Sequence, residues 1–119
     1  MKLLTKELRQ KFPKLYSQED KDPKDVKIIV KFFCPWNQWT WFATEANSVL
    51  EDGSEVEASH NGQGKEVDVL FFGYVKGLEN ELGNFSLKEM EEIRGPAGLK
   101  IERDLYFGEK HTLAEVMNG

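Results

Sequence analysis

VKIIVKFF, residues 26–33, decides the fold. Val26, Ile28, Val30 and Phe32 recur at every second position while Lys27 and Lys31 fall between them, which is the period of a strand with one buried and one wet face. Pro35 and Asn37 then punctuate the chain, and Trp39 to Glu45 resumes with aromatic and β-branched residues, so the two runs predict a hairpin. Further along, Val67 to Val75 is the most apolar strand of the sequence. Ile101 to Phe107 predicts a last strand, followed by a weakly helical tail.

Helical signals lie on either side of these strands. Leu4, Leu8 and Phe12 recur every four residues and Pro13 stops the pattern, predicting a short amphipathic helix over Thr5 to Phe12. Ser17 to Asp25 is polar, contains Pro23 and predicts a loop. Ser86 followed by Glu89 is a capping box, with Phe85 and Met90 spaced as a hydrophobic staple, and Gly95-Pro96 ends that helix. Residues 46–66 hold four glutamates, one aspartate and three glycines, and are expected to form a mobile acidic excursion outside the core. The order helix, hairpin, strand, helix, strand predicts an α+β fold: a small antiparallel β-sheet with two or three short helices packed on one side.

A chain of 119 residues, 39% hydrophobic and 31% charged, fits one domain with its own core, here taken as residues 1–119. No apolar run approaches the roughly 20 residues that cross a bilayer, and Met1 to Lys11 alternates leucines with charges instead of forming a signal sequence. No membrane partner is expected. Cys34 stands alone, so it has no internal disulfide partner and suits a reducing, cytoplasmic setting; multi-thiolate metal sites are excluded. The net charge of −5 is uneven: residues 1–44 carry nine Lys or Arg against five acids, and residues 45–81 carry two against nine. A basic front third permits an electropositive patch on a protein whose overall balance is acidic.

Two groups of residues have chemistry to offer. Trp39 and Trp41 fall on one strand face with Trp36 and Asn37 in the preceding turn, and aromatic rings near basic residues can stack on unpaired bases; the plainer reading places the rings, Trp41 above all, in the core. Glu102 and Asp104 share a strand face with Tyr106, and with Glu45 as a third carboxylate they would resemble a nuclease-type cation site. The plainer reading is a solvated strand edge. Arg103 points to the opposite, apolar face and calls for a buried carboxylate, with Glu45 and Glu79 as candidates. His60 and His111 have no catalytic neighbours in sequence and are expected to be solvated. Cys34, next to Pro35, reads as a buried inert thiol. The glycines form no phosphate-binding loop, so neither nucleotide chemistry nor a cofactor is expected.

Several of these runs together carry a resemblance. LLTKELRQKFPKLY from Leu3, VKIIVKFF, WTWFATE, FFGYVKGLENELGNFSL from Phe71 and RGPAGLKIERDLYF from Arg94 resemble, in order and over nearly the whole chain, the family called domain of unknown function 2958. Residues 46–66 depart from it, since the family usually has a shorter connection there. The resemblance brings no catalytic residues, no metal and no ligand. It implies a setting, the accessory genes of plasmids, conjugative elements and phages. The expectation is a non-catalytic binding module for a host or element macromolecule, with Trp36, Asn37, Trp39, Glu102, Arg103, Asp104 and Tyr106 as candidate contacts. Two alternatives stand beside it: a metal-dependent enzyme acting on nucleic acid, and an acidic inhibitor that mimics nucleic acid, suggested by the excess of acids over 45–81.

Overall fold

Residues 1–60, 62 and 64–119 are described by a computed structural model. β1 (Val30–Phe33) runs antiparallel to β2 (Thr40–Leu50), with Val30 opposite Ala43 and Phe33 opposite Thr40, so the expected hairpin forms. Along the first half of β2 one edge is taken by β1, and along the second half by β3 (Glu55–Glu57). The other edge of β2 pairs with β4 (Glu66–Lys76), which pairs in turn with β5 (Asn80–Ser86). β6 (Glu102–Arg103) extends the sheet beyond β1. The result is a six-stranded antiparallel sheet. With α1 (Lys6–Lys11), α2 (Leu87–Glu92) and α3 (Leu113–Asn118), it makes a small α+β fold.

Both faces of the sheet are covered. Trp41 lies opposite Val75 and Phe42 opposite Tyr74, so alternate pairs point to opposite sides. On the first side Phe32, Trp41, Phe71 and Phe85 form the main core with Leu3, Leu4, Phe12 and Met90, under α1 and α2. On the second, Val26, Ile28, Phe42 and Tyr74 meet Leu113 and Val116 of α3. Two helices therefore share a face, and the tail helix covers the other.

Two interruptions of the strand period explain where the sequence pattern misleads. Val26 and Ile28 do not share a face with Val30 and Phe32, because the chain changes hydrogen-bond partner between them. Ile28 N–H donates to His111 O at 2.9 Å, and Ile29 N–H donates to Ala43 O at 2.9 Å. The apolar alternation thus serves one core on each side of the sheet. In β2 the register with β4 shifts between Ala43 and Glu45, leaving Thr44 as the extra residue of a bulge. Ala43 and Ala46, three apart, consequently face the same core. At this bulge Gly73 passes so close to β2 that a Cβ on it would lie 1.9 Å from Phe42 O.

The acidic excursion expected over 46–66 is corrected at its start. Residues 46–50 are the end of β2, where Ala46, Asn47, Ser48 and Leu50 are buried, and Ala58 beyond β3 is buried too. Apart from Leu50 these are small or polar residues, Ala46 and Ala58 joining the main core and Asn47 and Ser48 buried with hydrogen bonds, which composition does not reveal. Residues 61 and 63 of that stretch lie outside the described residues.

α2 starts where its sequence says it should. Ser86 Oγ accepts from Glu89 N–H at 3.1 Å, and Met90 is buried. α1 is capped in the same way by Thr5, whose side chain accepts from Leu8 N–H at 3.2 Å.

Candidate functional site

The residues singled out from sequence are dispersed by the fold. Glu45 is 3% exposed, and its Oε1 accepts from Tyr16 N–H at 2.5 Å. It is engaged by the segment that leaves α1. Pro13 O accepts from Ala46 N–H at 3.1 Å, and Asn47 Oδ1 accepts from Leu15 N–H at 3.1 Å. Tyr16, at the end of this crossing, has φ +63°, a conformation that costs a non-glycine residue about 1 kcal/mol or more. Its hydroxyl donates to Asn84 Oδ1 at 3.0 Å, and its ring meets Phe72 edge-on. Glu45, Glu102 and Asp104 are not brought together: among the described residues no group of three or more His, Cys, Asp or Glu is placed to hold a metal ion.

The predicted last strand ends at Arg103. Asp104 Oδ1 accepts from Tyr106 N–H at 2.9 Å and Gly108 has φ +80°, so the chain turns here and Phe107 reaches the second core instead. Tyr106 is left 95% exposed. Arg103 lies in register with Phe32 on the apolar side, yet its partner is not Glu45 or Glu79. Its Nη1 donates to the Lys2 and Leu3 carbonyls at 2.7 and 3.3 Å, because the amino-terminal segment passes closer to β6 than any carboxylate of the central strand. Glu102 pairs through its backbone with Phe33 and is half-buried.

Arg103 and Asp104 line a groove of about 330 Å³ between α1, β1 and the 104–109 turn. Among the described residues most of its charges are already paired within the chain, Glu7 being the exception. Lys31 pairs with Asp104 at 3.5 Å and lies over the Phe42 and Phe107 rings. Lys11 pairs with Glu109; this hydrogen bond, aided by the charge of Lys11, holds the Glu109 carboxyl below the ordinary value. The two histidines are less solvated than the sequence suggests. His111 stacks on Phe107 with centroids 4.0 Å apart and pairs with Glu115. His60 is half-buried and its N–H donates to Glu57 O at 2.8 Å.

The tryptophans make the other site. Asn37 closes the β1–β2 turn, its Oδ1 accepting from Trp39 N–H at 2.8 Å, and so sets the start of β2. Beside it, burial pushes the Cys34 thiol up and a hydrogen bond with Asn37 offsets part of that, in keeping with an inert thiol. Trp39 and Trp41 then stack on one another with centroids 5.8 Å apart and planes inclined by 30°. Trp39 lies directly on Gly77, where a Cβ would fall 2.4 Å from the indole, and Trp36 lies in the same way on Gly95. Trp36 is thereby spent on covering the core edge.

Between this stack and α2 a cleft of about 300 Å³ opens on the first face of the sheet. Trp39, Trp41, Val75, Phe85, Met90 and Ile93 make it apolar, and Glu81 and Glu89 bring carboxylates to it. Gly83 forms part of its lining, and a Cβ there would meet nothing within 4 Å. No lysine or arginine lines it. Among the described residues neither carboxylate takes part in an ion pair or a side-chain hydrogen bond. The basic residues expected beside the tryptophans are thus replaced by acids, contributed by a strand and a helix distant in sequence. Trp41, 7% exposed, is both core and cleft wall. Sequence reading misses Glu81 because β5 is too polar to announce itself as a strand, and it assigns Glu89 only to the capping box.

Comparison with protein families places nearly the whole of this architecture in one group. Residues 3–55 and 64–118 match the family described as protein of unknown function (DUF2958). The chain belongs to the DUF2958 family. Within the stretch 46–66, where a departure from the family is expected, residues 46–55 and 64–66 fall inside the match, so the departure is confined to 56–63. Comparisons with curated proteins and with solved structures returned no match. All the cleft residues of this DUF2958 chain lie within the matched segments. No helix among the described residues is long and apolar enough to cross a membrane.

Proposed function

We propose that this DUF2958 chain is a non-catalytic binding module of a mobile genetic element, acting in the cytoplasm on a host or element-encoded macromolecule, and that its cleft takes a cationic group of that partner. One observation carries the reading: two stacked indoles and two uncompensated carboxylates line the same cleft, with no cation of the chain among them. Indole faces attract cations through the ring quadrupole, worth about 0.5–1 kcal/mol at an exposed site and about 2 when the cation is desolvated. The carboxylates add attraction for the same ligand and repel phosphates, so the site suits lysine or arginine better than a nucleic-acid strand. The mobile-element setting rests on the family resemblance, and the lone buried cysteine suits a reducing compartment.

Tryptophan fluorescence titrated with N-acetyl-arginine methylamide, and separately with oligodeoxythymidine, tests the reading. A saturable response to the arginine derivative is expected, lost in Trp39→Ala and weakened in the double variant Glu81→Gln, Glu89→Gln. Tight oligonucleotide binding that Trp39→Ala abolishes would turn the cleft into a base-stacking site and refute the cationic reading.

A further inference from the structure

β5 ends the sheet. It pairs with β4 in unbroken register from Leu70–Ser86 to Lys76–Asn80, and among the described residues no strand lies against its other side. Natural edge strands are blunted by charged side chains, lysine above all, by proline, by a bulge or by a covering element. β5 reads Asn-Glu-Leu-Gly-Asn-Phe-Ser, with neither lysine nor proline; residues 80–82 and 84 are exposed, and its one charge, Glu81, guards the edge against acidic strands and leaves it open to basic ones. This open edge is also one wall of the tryptophan cleft, since Glu81, Gly83, Asn84 and Phe85 line it.

We infer that the partner is an extended basic peptide that adds to the sheet as a seventh strand along β5 and sends one lysine or arginine side chain over Gly83 into the tryptophan cleft. The proposal rests on the cationic reading of that cleft and adds the form of the ligand. An added strand would lie about 4.8 Å from β5 and alternate its side chains between the two faces, so every second residue points to the cleft side. Gly83 is the doorway. Flanked on the same face by Glu81 and Phe85, it has no side chain of its own, and the space where one would stand is empty. A basic side chain crossing there enters a cleft lined by Glu81 of the same strand, Glu89 of α2 and the Trp39–Trp41 stack. Charge selects the occupant. Glu79, Glu81 and Glu89 favour a basic peptide, whereas a second copy of the chain pairing β5 to β5 would oppose two carboxylate-bearing edges.

The test compares four probes by tryptophan fluorescence, with amide exchange of residues 80–84 followed in parallel. They are N-acetyl-arginine methylamide, the capped peptide Val-Thr-Arg-Thr-Val, the same peptide N-methylated at alternate amides, and the peptide with norleucine for arginine. The capped peptide is expected to bind at least about tenfold more tightly than the arginine derivative, the factor that roughly two ordinary backbone hydrogen bonds supply. N-methylation should return it to the derivative's level, norleucine should abolish binding, and exchange along β5 should slow. If the derivative binds while the peptide and its N-methylated form bind no better, strand addition is refuted and the cationic cleft stands. Should derivative and peptide both fail to bind, the cleft reading falls and takes the strand proposal with it. Norleucine binding as tightly as arginine would overturn the basic occupant. A doubling of mass with protein concentration, with β5 exchange already slow before any peptide is added, would give the edge to a second copy and overturn the proposal.

Discussion

Gly73→Ala and Gly83→Ala are the same chemical change at two positions that face each other across β4 and β5, and the structure gives them opposite outcomes. A methyl on Gly73 would lie 1.9 Å from Phe42 O and 2.8 Å from its carbonyl carbon, well inside the 3.0 Å that real Cβ contacts respect. The atom struck belongs to the backbone of the central strand, so no side-chain rotation relieves the clash. β2 and β4 must part at the bulge. Overpacking a core costs about 1–3 kcal/mol where side chains can adjust, and a backbone collision belongs at or above the top of that range. A loss of about 3 kcal/mol lowers the melting temperature by roughly 12 °C for a domain of this size. Gly83→Ala meets nothing within 4 Å and removes unfolded-chain freedom, so it should stabilise by about 0.4–1 kcal/mol while narrowing the cleft. Urea midpoints and calorimetric melting of both variants measure this directly. Equal melting temperatures for Gly73→Ala and the parent protein would refute the close approach at the bulge, and comparable losses at both positions would refute the assignment of Gly83 to open space.

Ser86→Ala removes the acceptor for Glu89 N–H and should cost about 1 kcal/mol in denaturant unfolding; an unchanged midpoint would mean that the cap adds nothing to α2. Glu66 receives both Arg9 guanidinium nitrogens at 2.6 and 2.8 Å and the Ser48 hydroxyl at 2.6 Å. Partial burial pushes its carboxyl up, but those hydrogen bonds with the Arg9 and His60 charges more than offset this and hold it below the ordinary value. Its contribution to stability is therefore complete above the unfolded-state carboxylate value near 4.5 and lost as pH falls through the lower folded value. Glu66→Gln should flatten that part of the acid limb, and a superimposable pH profile would contradict it. Arg103→Ala should lose about 1.5–3 kcal/mol, as expected for hydrogen bonds from a charged donor, without the pH dependence of a carboxylate pair; a loss that disappears on acidification would restore a carboxylate partner.

The elements legible in the sequence are those whose signals lie within one or two turns of chain. Ser86, Glu89, Phe85 and Met90 declare the start of α2 because a cap and its staple span only a few residues. The β1–β2 hairpin, the apolar β4 and the short helix after Leu4 are likewise local patterns, and together they settle the α+β class. Tertiary structure decided the rest. The two-residue period of Val26 to Phe32 is real, but a change of hydrogen-bond partner at Ile29 sends its halves to opposite cores, and the bulge at Thr44 turns Ala43 and Ala46 to the same one. β3 and β5 are too polar to be read alone; they become strands because apolar neighbours offer them an edge to complete. Arg103 was legible as a cation on the apolar side of the sheet and its partner was not, since the carbonyls it meets are a hundred residues earlier in the chain. The cleft is the extreme case. Trp39, Glu81 and Glu89 meet only through the β2–β4–β5 register and the docking of α2, and long-range pairing of this kind has no signature in the spacing of residues along the chain.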